Sequence, residues 1–111
     1  MAIDNGNLFA GIPDTLPHEQ IDALLSAPHV RIERIVSRGH SSPPDFWYDQ
    51  DKPEWVIVLA GAAGVLFDGE PEPRMLMRGD YLHIPAHVRH RVAWTDASET
   101  TVWPAMHFRE T

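Results

Sequence analysis

The side chains best suited to act together in this sequence are the imidazole of His90 and the carboxylate of Glu54. Such a pair can hold a zinc, iron, manganese or nickel ion. His90 follows a Gly79-Asp80 turn, an apolar run through Leu82 and Ile84, and Pro85, which stops the strand. Glycine allows backbone angles that other residues avoid, and proline cannot donate to a ladder. The unit therefore reads as turn, strand, turn, strand, and it projects one imidazole from a rigid β framework. Glu54 opens a second apolar run, Trp55 to Leu59, which closes at Gly61.

Candidate partners lie just before Glu54. Strand alternation puts Tyr48 with Gln50 on one face or Trp47 with Asp49, but not both pairs. Gln50, through its amide oxygen, or Tyr48, through its phenol, adds a weaker metal ligand, and Asp49 would be a better one than glutamine. Tyr48 or His87 would serve as a catalytic acid or base if either reaches the pocket. His107 reads as an inward histidine, in the core rather than on a metal, and His40 reads as a surface residue. The facing of His83 is open, and His18 and His29 carry no signal.

Gly79, five residues, Pro85, one residue, His87, two residues and His90 resemble the second signature motif of the cupins. Glu54, six residues and Gly61 resemble the second half of the first motif. The histidine pair that normally precedes this glutamate is replaced by Tyr48 and Gln50, or by Trp47 and Asp49 in the alternative alignment. His87 stands where the family often has glycine, and Trp94 where its enzymes typically have asparagine. The resemblance spans roughly residues 30 to 108 and implies an all-β double-stranded β-helix, the jelly-roll barrel. It further implies one divalent metal (Zn, Fe, Mn or Ni) held by Glu54 and His90, with Gln50 or Asp49 assisting. The reaction would then be of dioxygenase, isomerase or lyase type, on a small organic molecule. The alternative is a non-catalytic barrel that binds a small ligand and has lost the usual metal ligands. Small cupins frequently pair as homodimers, and the apolar Leu8, Phe9 and Ile12 suit that.

The rest of the chain must position these residues. At 111 residues it has room for one core, with 1–29 read as an arm plus a short helix and 30–111 as the barrel. Asp14 or Thr15 would cap the helix, Pro17 would sit in its first turn and Pro28 would end it. Ile21, Leu24 and Leu25 recur at helical spacing and form its apolar stripe. Short strands are expected over 30–37, 54–59, 65–67, 75–77, 91–95 and 100–108, separated by Gly, Pro and Asp turns. Trp55 reads as a core residue, while Trp47 and Tyr48 are candidates to line a ligand site.

Composition removes several function classes. The net charge of −7, from 16 acidic against 9 basic residues, would repel a phosphate backbone, so no nucleic-acid partner is expected. No cysteine is present, which excludes disulfides and thiolate chemistry. No leader-like or membrane-length apolar run is present, so a soluble cytoplasmic protein with no membrane partner is expected.

Overall fold

The computed structural model describes residues 2–110, and these contain eight β-strands and no helix. In chain order the strands are β1 (Gln20–Ala27), β2 (Val30–Ser37), β3 (Glu54–Ile57), β4 (Ala63–Phe67), β5 (Arg74–Leu76), β6 (Tyr81–Ile84), β7 (His90–Thr95) and β8 (Thr101–Phe108). They form a five-stranded sheet, β1-β2-β8-β3-β6, and a three-stranded sheet, β5-β4-β7. Every pairing is antiparallel, as the expected double-stranded β-helix requires. β2 and β8 pair along their whole length, from Val30 opposite Phe108 to Ser37 opposite Thr101. This long ladder carries Glu33 and His107, while β3 lies against the other side of β8 and sets Glu54 opposite His107.

Apolar residues from both sheets fill one end of the space between them. Val56, Val58, Trp103 and Ala105 of the larger sheet side meet Ala63, Val65 and Leu76 of the smaller. Gly61 closes the approach to this core with φ +81°, and a Cβ there would sit 2.6 Å from the Thr101 Cα. Only glycine meets both demands. At the other end the inward positions turn polar, which explains the imperfect alternation of β2: its Arg31, Glu33 and Ile35 face a cavity rather than a sealed core.

The short helix expected near the N-terminus is strand β1 instead. It pairs with β2 from Gln20 opposite Val36 to Ala27 opposite Val30, with a bulge between Ala23 and Leu25. The extra residue at a bulge breaks the period-two alternation. That break leaves Ile21, Leu24 and Leu25 at positions that imitate helical spacing. Pairing with β2 supplies backbone hydrogen bonds that the local sequence pattern does not reveal, so tertiary context overrides the periodicity. The sheet consequently begins at Gln20, inside the segment read as arm and helix. Ahead of it, Arg34 ties the chain down, donating to the carbonyls of Leu8 and Ala10 at 3.1 and 2.6 Å and to Asp22 at 2.7 and 2.9 Å.

Trp55 also departs from expectation. Because Glu54 and Val56 point inward, Trp55 points out, where it borders a shallow groove with His83, Met106 and Phe108. Trp103 is the tryptophan of the core.

Candidate functional site

A cavity of about 240 Å³ occupies the polar end of the barrel. Its apolar wall includes Ile35, Val56, Ile84, Val92 and Trp103, and its polar groups come from five separate stretches of chain. Convergence of a few polar groups in an apolar concavity is the usual character of a small-molecule site.

His90 enters the cavity from the first position of β7. Its N–H and carbonyl exchange hydrogen bonds with the backbone of Tyr48, at 3.1 and 2.7 Å, in an isolated antiparallel bridge. Directly opposed residues share a face, and the two rings stack with centroids 5.4 Å apart and planes 23° apart. The His90 Nδ1 lies 2.8 Å from the Val88 carbonyl. A carbonyl can only accept, so Nδ1 carries a proton and donates. This leaves Nε2 directed at the Glu54 carboxylate, 3.6 Å from Oε1. Both side chains are largely buried, 7% and 12% exposed.

A second imidazole–carboxylate pair stands beside the first. His107 Nε2 lies 3.0 Å from Glu33 Oε1, and Arg31 approaches the other Glu33 oxygen at 3.5 Å. Deeper in, the Trp103 indole donates to Ser37 Oγ at 3.1 Å, and Ser37 donates to Glu19 at 2.6 Å. Burial opposes charge on His90, but the Glu54 carboxylate and the Val88 carbonyl together outweigh it and raise its pKa above the ordinary histidine value. The Tyr48 phenol is also pushed up, by burial first and then by Glu19, Glu54 and Glu33. It therefore stays protonated at neutral pH and can donate a hydrogen bond.

Of the residues expected from sequence, Tyr48, Gln50, Glu54 and His90 all line this cavity. Between the two alternatives before Glu54, the Tyr48 and Gln50 face points in, and Asp49 points out. His87 does not reach the pocket as a catalytic residue must. It occupies the turn after β6 with φ 63°, and its Nδ1 meets Asp49 Oδ1 at 2.9 Å in an exposed pair. The turn that aims His90 inward carries His87 onto the outer surface. Trp47 is outside as well, beneath the guanidinium of Arg89. His107 faces inward, hydrogen-bonded to Glu33. His83 faces outward, and His40 borders a second, neighbouring cavity with His18.

Glu33 and Glu19 also line the cavity, and the sequence offers little to mark them. Glu33 shares its strand face with Ile35, which is the only signal it offers. Glu19 precedes a strand that the sequence pattern presents as a helix, so nothing local marks it.

The donor set does not fit a tightly held catalytic divalent metal. Such a site takes three strong protein ligands and leaves a further position open. Among the described residues no three His, Cys, Asp or Glu side chains converge closely enough to hold an ion. His90 and Glu54 supply two donors, Gln50 offers only an amide, and His107 is turned toward Glu33.

Comparison with known proteins agrees with this architecture. A family model described as the cupin domain matches residues 33–105. The crystal structure of a candidate mannose-6-phosphate isomerase from Ralstonia eutropha superposes with a TM-score of 0.93 at 50% identity, covering 97% of this chain and 100% of that one. A cupin with a double-stranded β-helix from Methanocaldococcus jannaschii gives 0.68 at 17% identity over 87% of this chain and 85% of that one. The Fe(II) protein HppE gives 0.69 at 20% identity over 88% of this chain and 54% of that one; at this identity the likeness is one of fold. No curated protein matches the chain.

Proposed function

This chain belongs to the cupin family, and we propose that its barrel binds a small organic molecule and moves a proton on it, in an isomerase- or lyase-type reaction. The observation that carries this reading is the His90–Glu54 pair: a buried imidazole whose Nδ1 is committed to a carbonyl and whose Nε2 faces the cavity beside a carboxylate. In its neutral form His90 presents the Nε2 lone pair as a base. Glu54 stabilises the imidazolium that forms when a proton is taken from a carbon next to a carbonyl. Tyr48, held as a phenol, donates to the oxygen on which negative charge develops. Where that carbon also bears a hydroxyl, returning the proton to the former carbonyl carbon, while the hydroxyl proton passes to the former carbonyl oxygen, completes an isomerisation. The scheme needs no metal, which agrees with the two-donor geometry.

The Ralstonia eutropha relative carries the name of an isomerase, and the reaction class suits the pocket better than the 6-phosphate does. A phosphate wants a cluster of cations or backbone donors. Arg31, the cation at the cavity wall, is already engaged with Glu33.

The test is proton exchange in heavy water. A panel of small aldoses, ketones and amino ketones is incubated with the protein and followed by NMR at the carbon beside the carbonyl. Exchange catalysed by the wild type and lost in both His90→Ala and Glu54→Gln is expected. Absence of exchange across the panel, with turnover appearing only after a divalent metal is added, would replace this scheme with a metal-dependent one. Saturable binding without exchange would leave the barrel a ligand-binding module. On a separate footing, we propose that two copies associate through edge strand β1, whose Leu24 and Leu25 are about half exposed. A monomeric mass by light scattering at micromolar concentration would reject that.

A further inference from the structure

On the reading that the barrel holds a small organic molecule, we infer that this molecule is a cation: a protonated amine carried on an apolar body. The hydrogen-bonding inventory of the pocket points this way first. His90 Nε2 is an acceptor in the tautomer that Val88 imposes, and it belongs to a side chain only 7% exposed. Facing it at 3.6 Å is Glu54 Oε1, and whenever His90 is neutral both of these atoms are acceptors. In that form the two acceptors face the cavity with no proton between them, and they call for a ligand that brings donors. An ammonium group brings three N–H donors and no acceptor.

Charge points the same way. Glu19, Glu33 and Glu54 face the cavity, and Arg31 is its one fixed cation. Arg31 is 55% exposed and lies against Glu33, so much of its charge is spent at the rim. An anionic phosphate placed here would face carboxylates in a partly desolvated space, where like charges repel more strongly than in water. The remaining wall suits an apolar body: Ile35, Val56, Ile84 and Val92 are aliphatic, and Trp103 and Tyr48 offer ring faces to a cation. The volume of about 240 Å³ falls below that of drug-sized sites, so the body is a short chain or a single ring.

Three probes of matched shape separate the alternatives: cyclohexylamine, cyclohexanol and cyclohexyl phosphate. Each is titrated at pH 8 into full-length, ¹⁵N-labelled, chelator-treated protein, following backbone, indole and imidazole resonances. An alkylamine stays charged at this pH, and the imidazole resonances followed in the same spectra show that His90 is neutral before each titration begins. We expect the amine to shift the His90 and Trp103 signals saturably and to bind about tenfold more tightly than the alcohol, with no saturation by the phosphate. Glu54→Gln, which preserves shape, should narrow the gap between amine and alcohol to about threefold or less, and Arg31→Gln should widen it. Alcohol or phosphate binding in the barrel as tightly as the amine would overturn the cation assignment while leaving the binding pocket standing. No barrel shift with any probe, or amine shifts confined to the outer surface, would overturn both. Amine binding that appears only once a divalent metal is restored would also sink the inference.

Discussion

The turn between β6 and β7 presents two imidazoles to two carboxylates, one pair on the outer surface and one inside the barrel. His87 and Asp49 are 2.9 Å apart and stand 69% and 50% exposed; His90 and Glu54 are 3.6 Å apart and only 7% and 12% exposed. Distance alone ranks the outer pair first. Burial reverses the order, because an exposed ion pair is screened by water and contributes about 0–1 kcal/mol. The inner pair works in a less polar space and keeps an acceptor free for a ligand. What makes a histidine of this turn functional is the face of the strand that receives it.

The sharpest test of that contrast is His90→Ala. It opens a hole beside Tyr48 and Phe67 and strands the Glu54 carboxylate, so a loss of about 2–4 kcal/mol in denaturant unfolding is expected, together with loss of ligand binding. An unchanged midpoint would mean that the inner pair is no more consequential than the outer one.

Glu54→Gln acts more gently, through pH. The His90 pKa is raised above the ordinary histidine value in the folded protein. Its contribution to stability is therefore fully present below the unfolded pKa, and it is lost as pH rises through the folded one. Removing the Glu54 charge should lower the His90 titration midpoint and flatten that decline at pH above the ordinary histidine value. Imidazole NMR reads the midpoint, and parallel unfolding curves read the slope. A midpoint that does not move would remove Glu54 as the cause.

Tyr48→Phe keeps the ring against His90 and deletes only the phenol. Stability should change by about 1 kcal/mol or less, while proton exchange on a substrate falls at least about tenfold. Equal losses in both would mark Tyr48 as a packing residue. The smallest effects belong outside. Asp49→Asn should shift stability by no more than about 0.5 kcal/mol. His87→Gly should be neutral or stabilising by up to about 1 kcal/mol, because glycine relieves the left-handed φ of 63°. A loss beyond that would show the exposed pair to matter more than its screening allows.

The site was legible where a backbone signal accompanied the side chain. The turn residues before His90 and the glycine after Glu54 marked both inward positions, and alternation restricted the residues before Glu54 to two choices. Choosing between them required the Tyr48–His90 bridge, a contact distant in sequence. Glu33 was hidden because one polar residue on a half-apolar strand reads the same whether it faces a cavity or solvent. The N-terminal strand reads as a helix in sequence because a bulge imitates helical periodicity, and Trp55 reads as core because hydrophobicity does not reveal facing.

By itself, then, the sequence determined a chain of short strands and turns, since turn chemistry and strand alternation are local properties, and its resemblance to the cupin motifs singled out the barrel with Glu54 and His90. Only the tertiary structure decided that Tyr48 and Gln50 face inward, that His87 does not, and that Glu19, Glu33 and Glu54 share one pocket with His90 and His107. The physical reason is that cross-strand register and cavity formation depend on which strands meet. In this chain the meeting partners, such as β2 with β8 and Tyr48 with His90, lie far apart in sequence.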